Sequence, residues 1–162
     1  MTPQEIYAQL SAKFGDSVIE FQTEETQNPT VIVSPSGLEE IFKYLKDEEA
    51  LQFDSLMNLA GHDPDPESEL VVIYHLHSIE LDHYITIKTF TDRESPKVDS
   101  VANLYGTADW HEREAYDLFG IIFEGHPDLK RILMEEDWEG FPLKKDYVPA
   151  EFYRGMRIAK EK

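Results

Sequence analysis

Two β-prone runs constrain this chain most: Glu69–His77 and Leu81–Phe90 are rich in Val, Ile, Tyr and Thr, and only the short polar break Ser78–Glu80 parts them, which predicts a hairpin. In the first run both registers are apolar, Val71 and Ile73 on one face and Val72, Tyr74 and Leu76 on the other. A strand patterned this way is expected at the centre of a sheet, covered on both faces. Val18–Phe21 and Thr30–Val33 flank a polar stretch containing Asn28 and Pro29 and predict a second strand pair. Leu51–Leu59 predicts a further strand, ended by the turn chemistry of His62-Asp63-Pro64-Asp65-Pro66.

Helical spacing surrounds these strands. Ile6, Leu10 and Phe14 share one face of a predicted helix over Pro3–Phe14, with Gly15 as its C-cap. Leu38, Ile41, Phe42 and Leu45 predict a helix over Gly37–Lys46, and Ser36 with Glu39 reads as its capping box. Ser100–Tyr105 reads as one or two helical turns closed by Gly106, after which Thr107 caps a longer helix from Ala108 to Phe119, ended by Gly120. The expected fold is therefore α+β: a mostly antiparallel sheet with helices on one face, in a ferredoxin-like split arrangement. One domain is expected over residues 1–140, with 141–162 as an extended C-terminal segment.

Composition removes several function classes. The 162 residues include no cysteine, which excludes disulfides, thiolate nucleophiles, Cys-ligated zinc and ordinary Cys-held iron–sulfur clusters. Thirty-three acidic residues against 15 basic ones give a net charge of −18, a surface that repels a phosphate backbone, so no nucleic-acid partner is expected. The imbalance is uneven. Residues 141–162 hold six basic and three acidic residues, which leaves nine basic against 30 acidic, a balance of −21, on the first 140. The C-terminal segment thus reads as a basic strap on an acidic body. Neither a membrane-spanning run nor a secretory leader is expected.

Candidate chemistry is sparse. His75 and His77 share a strand face, and His83 lies near them across the hairpin, so three imidazoles offer a conceivable metal site; no fourth ligand stands at a diagnostic spacing. A P-loop, a Gly-x-Gly-x-x-Gly turn and a Gly-x-Ser-x-Gly elbow are all missing from the sequence. The densest constellation is Asp109-Trp110-His111-Glu112-Arg113-Glu114-Ala115-Tyr116-Asp117-Leu118-Phe119-Gly120. At about 100° per residue Glu112 and Glu114 diverge, so they do not converge as an acid–base pair. Ala108, Glu112, Ala115 and Phe119 share one face, while Trp110, Arg113, Glu114 and Asp117 make a polar one on which Arg113 and Asp117 are expected to pair at i, i+4. If both faces are covered, at least one carboxylate is buried and needs a complement, which a partner protein would supply; a solvent-facing helix with ordinary salt bridges is the alternative, and Trp110 and Trp138 fit either a core or an interface.

At these residues the sequence resembles a known family, the thirty-kilodalton-type (C-type) subunit of proton-pumping NADH:quinone oxidoreductase, respiratory complex I. Glu112 to Ile121 is similar to the family signature, His126 to Leu133 continues it, and Glu136 to Tyr147 resembles its closing motif. Lys130, Lys144 and Lys145 include positions where the family often has Arg. Lys keeps the charge there and loses the bidentate fork. The tail Asp146–Tyr153 also resembles the J-type subunit of NAD(P)H dehydrogenase-like complexes, and membrane-bound hydrogenases use relatives of the module. The resemblance implies a component of the hydrophilic arm without a redox centre, packed on the large quinone-site (D-type) subunit and near the cluster-bearing subunits, on the cytoplasmic side of the membrane and attached only through the complex. It implies that iron–sulfur clusters, FMN, NADH and quinone belong to partners. Glu112, Arg113, Glu114, Asp117, His126, Lys130, Arg131, Lys144, Lys145 and Asp146 are then interface or structural anchors, not catalysts. The strap is expected to grip a partner and to be dispensable for folding. An equivalent scaffold in a related dehydrogenase or hydrogenase, and a stand-alone His-metal enzyme, are the alternatives.

Overall fold

Thr2 starts the first helix with a complete capping box: its hydroxyl accepts the Glu5 N–H at 3.3 Å, and the Glu5 carboxylate accepts the Thr2 N–H at 2.8 Å. The computed structural model describes residues 1–23 and 28–158. Helix α1, Pro3–Phe14, buries Ile6 and Leu10 as its spacing predicts. The two predicted strands after it form as β1, Val18–Gln22, antiparallel to β2, Thr30–Val33. Helix α2, Leu38–Asp47, buries Leu38, Ile41, Phe42 and Leu45. Its predicted Ser36 cap is absent. Gly37 takes the cap position at φ +79°, and its N–H donates to the Asp99 carboxylate at 2.6 Å.

The end of α2 also delays the next strand. Phe53 N–H donates to the Leu45 carbonyl and Leu51 N–H to that of Glu48, so the buried residues Leu51 and Phe53 complete the helix turn, and β3 runs over Ser55–His62 instead of Leu51–Leu59. The predicted hairpin forms as β4, Leu70–Ser78, and β5, His83–Thr91, in continuous antiparallel register from Leu70 opposite Thr91 to Ser78 opposite His83. The sheet order is β1-β2-β5-β4-β3. β2 pairs with β5 in parallel, and every other pairing in this sheet is antiparallel. The split arrangement is thus present, with the whole β4–β5 hairpin inserted between the parallel strands β2 and β3 that flank α2.

Leu70, Val72, Tyr74 and Leu76 of β4 meet the buried faces of all three helices in one core, where the Phe42 and Tyr74 rings lie 4.8 Å apart, edge to face. β4 is central, as its sequence predicts, but the helices layer only this face. On the other, Val71 is shielded by its cross-strand neighbours His62 and Phe90, and Met57 and Tyr84 are about half exposed. Beyond β5, β6 (Lys97–Asp99) pairs in parallel with β7 (Ile122–Glu124). Between them Val101–Tyr105 makes a single turn, and helix α3 spans Gly106–Phe119, so Gly106 opens this helix and does not close the turn before it. Thr107 lies inside α3, donating to the Leu56 carbonyl at 3.2 Å; Leu59 N–H donates to His111 Nδ1 at 3.0 Å. These bonds fasten α3 along the outer edge of β3. A two-residue hairpin pair, β8 (Phe152–Tyr153) and β9 (Met156–Arg157), follows in the C-terminal segment.

Candidate docking site

Helix α3 presents two fully buried carboxylates, and the chain itself answers both. Glu112 Oε2 accepts the Ser100 hydroxyl at 2.6 Å and Oε1 accepts the Val101 N–H at 2.8 Å, which anchors the turn before α3 to the helix. Burial pushes the Glu112 carboxyl up to about 7 against the pull of these two bonds, and the Asp109 charge adds to the rise. His126, whose side chain has no exposure, receives the Asp128 N–H on Nδ1 at 3.0 Å; its Nε2 therefore carries the proton, 3.1 Å from the Asp109 carbonyl oxygen and 4.0 Å from Glu112 Oε2.

Asp117 does not pair with Arg113. Its Oδ2 receives the backbone N–H groups of Ile132, Leu133 and Met134 at 2.9, 2.6 and 2.9 Å, and its Oδ1 receives Arg131 Nη1 at 2.8 Å. Burial alone would raise this carboxyl; the three N–H donors and the guanidinium outweigh it and hold it below the usual range. Arg113 instead reaches back one turn to Asp109 at 2.8 Å and across to Asp128 at 3.5 Å, with its guanidinium 5.0 Å from the Trp110 ring. The i, i+4 rule offered Arg113 two acids, one on each side, and the anion nest at 132–134 claims Asp117. The complements expected from a partner are thus supplied within the chain.

Arg131 links this helix to the C-terminal segment. Its second amino group donates to the Trp138 and Gly140 carbonyls at 3.2 and 3.0 Å, and its guanidinium lies 5.2 Å from the Phe141 ring. Phe141 rests on Gly120, which caps α3 at φ +78° and where a Cβ would stand 2.6 Å from the ring. Leu143 N–H then donates to the Leu118 carbonyl at 3.0 Å, Lys145 N–H to Asp63 Oδ2 at 2.8 Å, and Asp146 pairs with Arg93 at 3.2 Å. Arg93 also bonds Asp63 and, through Nε at 2.9 Å, the Ser68 carbonyl. The first residues of the strap are therefore seated on the domain. Asp63 and Arg93 carry no local signal: the first sits among turn-forming prolines, and 30 residues separate them.

The remaining predicted positions face outward. Glu114 is exposed, Lys130 is 61% exposed and pairs with Asp128 at 2.7 Å, Lys144 is half-buried and Lys145 exposed. Around them Trp110, Leu133, Leu143 and Val148 expose apolar surface. The three histidines of the conceivable metal site do not converge. His83 turns into the core face and meets the Leu51 carbonyl at 2.6 Å, whereas His75 bonds Thr86 and His77 stacks on Tyr84, on the opposite face. Among the described residues no group of three His, Asp or Glu side chains is placed to hold a metal, and no helix is long and apolar enough to cross a membrane.

The sequence model of the family described as "Respiratory-chain NADH dehydrogenase, 30 Kd subunit" matches residues 31–153. The chain belongs to this family. It is 39% identical over 153 residues to the C subunit of NADH-quinone oxidoreductase from Chloroherpeton thalassium and 40% identical over 153 residues to that from Chlorobium phaeobacteroides, 94% of this chain in each case. It spans 63% of the length of the first and 92% of the second. Among solved structures, a trypsin-resistant fragment of Nqo5 superposes at a TM-score of 0.63 with 30% identity, covering 79% of this chain and all of the fragment. A chain of the membrane-bound sulfane sulfur reductase MBS, an archaeal respiratory membrane complex, superposes at 0.71 over 90% of this chain and 85% of its own; at 23% identity that likeness is one of fold. In this chain the segment from Glu112 to Gly120 ties α3 to the strap, through Asp117 with Arg131 and Gly120 with Phe141.

Proposed function

We propose that this chain is a structural subunit, without a redox centre, of the hydrophilic arm of proton-pumping NADH:quinone oxidoreductase, seated on the large quinone-site (D-type) subunit beside the cluster-bearing subunits. One observation carries the reading: Glu112, Arg113, Asp117, His126 and Arg131, the charged core of the family motif, are engaged by bonds inside the chain, so they build a frame. Glu114, Lys130, Lys144 and Lys145, with exposed Trp110, are the groups left to meet partners. Large aromatic and apolar side chains edged by charge are what protein interfaces use. In this reading iron–sulfur clusters, FMN, NADH and quinone reside on neighbours, and the chain sits on the cytoplasmic side of the cell membrane, held there only through the complex. The fold shared with a chain of MBS supports a second reading, the same scaffold serving a related membrane-bound complex.

The test is purification of the tagged full chain from native membranes. Cluster-bearing and quinone-site subunits are expected to accompany it, and their identity separates the two readings. Recovery of the chain as a lone monomer overturns both.

A further inference from the structure

Residues 137–139 and the β8–β9 hairpin line an open cavity of about 410 Å³ that nothing in the α3 frame explains. Its walls are aromatic. The Trp138 and Tyr153 rings stand 5.0 Å apart at 53°, and Tyr147 and the half-exposed Phe152 close two further sides. Trp138 also keeps an indole N–H that is shielded from solvent and has no acceptor among the described residues. The walls are held in place: Tyr147 lies against Gly140, and the Tyr153 hydroxyl donates to Asp137 at 2.7 Å.

The charge of the cavity is opposite to that of the strap as a whole. Arg154, 5.1 Å from the Tyr153 ring, is bound to both oxygens of Asp137 at 2.9 and 3.1 Å, so its charge is already matched. Arg157 is likewise 3.5 Å from Glu151. Glu139 lines the cavity with no ion-pair partner among the described residues, Glu136 precedes it by three residues, and Glu135 is 3.8 Å from Arg154. Ring faces carry negative potential, and a box of them beside an unmatched carboxylate attracts a cation.

We propose that this cavity receives an arginine or lysine side chain from a neighbouring polypeptide, with exposed Val148 and Phe152 supporting the residues that flank it. The proposal rests on the reading of the chain as a subunit of a complex and adds a contact that the basic charge of the strap does not foretell. A preformed box reduces the ordering needed on docking, which suits an anchor.

The test is a nitrogen-15 NMR titration of the full chain with three tripeptides, acetyl-Leu-Arg-Leu-amide and its Gln and Glu counterparts. The Trp138 indole signal is expected to move with the Arg peptide alone, while the Trp110 indole serves as an internal control. Phe152→Ala and Glu139→Gln change half-exposed or exposed side chains, so the fold should persist, and each is expected to weaken the response about tenfold. No movement of Trp138, equal movement with all three peptides, or a response to the Glu peptide overturns the proposal. The titration needs no partner, so its failure is distinct from failure of the chain to co-purify with other subunits.

Discussion

Replacing Asp117 by Asn keeps the shape of the side chain and removes the charge around which the 131–134 segment folds. In the native chain this fully buried carboxylate receives three backbone N–H groups and Arg131. The amide offers one acceptor oxygen and turns a donor toward groups that are themselves donors. A hydrogen bond to a charged group contributes about 1.5–3 kcal/mol, and removing one partner of a buried ion pair costs about 3–5 kcal/mol. Arg131 keeps its bonds to the Asp117, Trp138 and Gly140 carbonyls, which places the expected loss near the lower figure, about 3 kcal/mol. For a chain of this size that is a fall of roughly 6–12 °C in Tm. Urea titrations followed by circular dichroism measure it. The folded carboxyl lies below its ordinary value, so its contribution is full above pH about 4 and disappears as pH falls further; the difference between native chain and variant should be constant from pH 6 to 8 and shrink in acid. A neutral-pH loss under about 1 kcal/mol would refute the reasoning, because it is the size expected of a solvated pair.

Glu112 gives the opposite pH dependence. Its folded value is raised to about 7, so the folded chain binds the proton more tightly and native stability falls relative to Glu112→Gln as pH rises from about 4.5 to 7, by at most about 3 kcal/mol; urea midpoints at pH 5 and pH 8 check this, and an equal difference at both values contradicts it. Gly120→Ala should cost more than Gly125→Ala, since both glycines have positive φ but only Gly120 has the Phe141 ring against it. The gap, about 1–3 kcal/mol in thermal melts, should narrow when Phe141→Ala is added. Truncation after Tyr147 should leave Tm nearly unchanged, whereas truncation before Phe141 removes the ring on Gly120 and the Lys145–Asp63 bond and should lower it by several degrees; equal melts for the two truncations would separate the strap from the domain altogether.

Local pattern made the helices and the hairpin legible. The four apolar residues of α2 are a periodic signal, which a packed face imprints on a sequence, and the Val, Ile, Tyr and Thr content of β4 and β5 is a propensity signal. The same signals failed where a distant group intervenes. Ser36 and Glu39 have the right spacing for a cap, yet the Asp99 carboxylate, 62 residues from Gly37, takes the role. Leu51 and Phe53 are apolar and β-prone, yet backbone bonds to the end of α2 hold them in a turn. The face that Glu112 shares with Ala108, Ala115 and Phe119 was legible, but the identity of its donors was not, since Ser100 and Val101 lie outside the helix.

The candidate site shows why charge alone misdirects. On a helix wheel, a buried acid without an acid-matched base on its own helix calls for a foreign partner, because burying it unpaired is costly. Backbone N–H groups are invisible on that wheel. Asp117 is met largely by main chain, the run 132–134, and Glu112 by the Val101 N–H beside the Ser100 hydroxyl, and each bond ties the helix to a loop. The buried acids thus pin the turn before α3 and the segment 131–134 to the helix. For the scaffold role proposed above such fixed loops matter more than reactive groups: Trp110 and Glu114 face outward from α3, and Lys130 from the segment that follows β7.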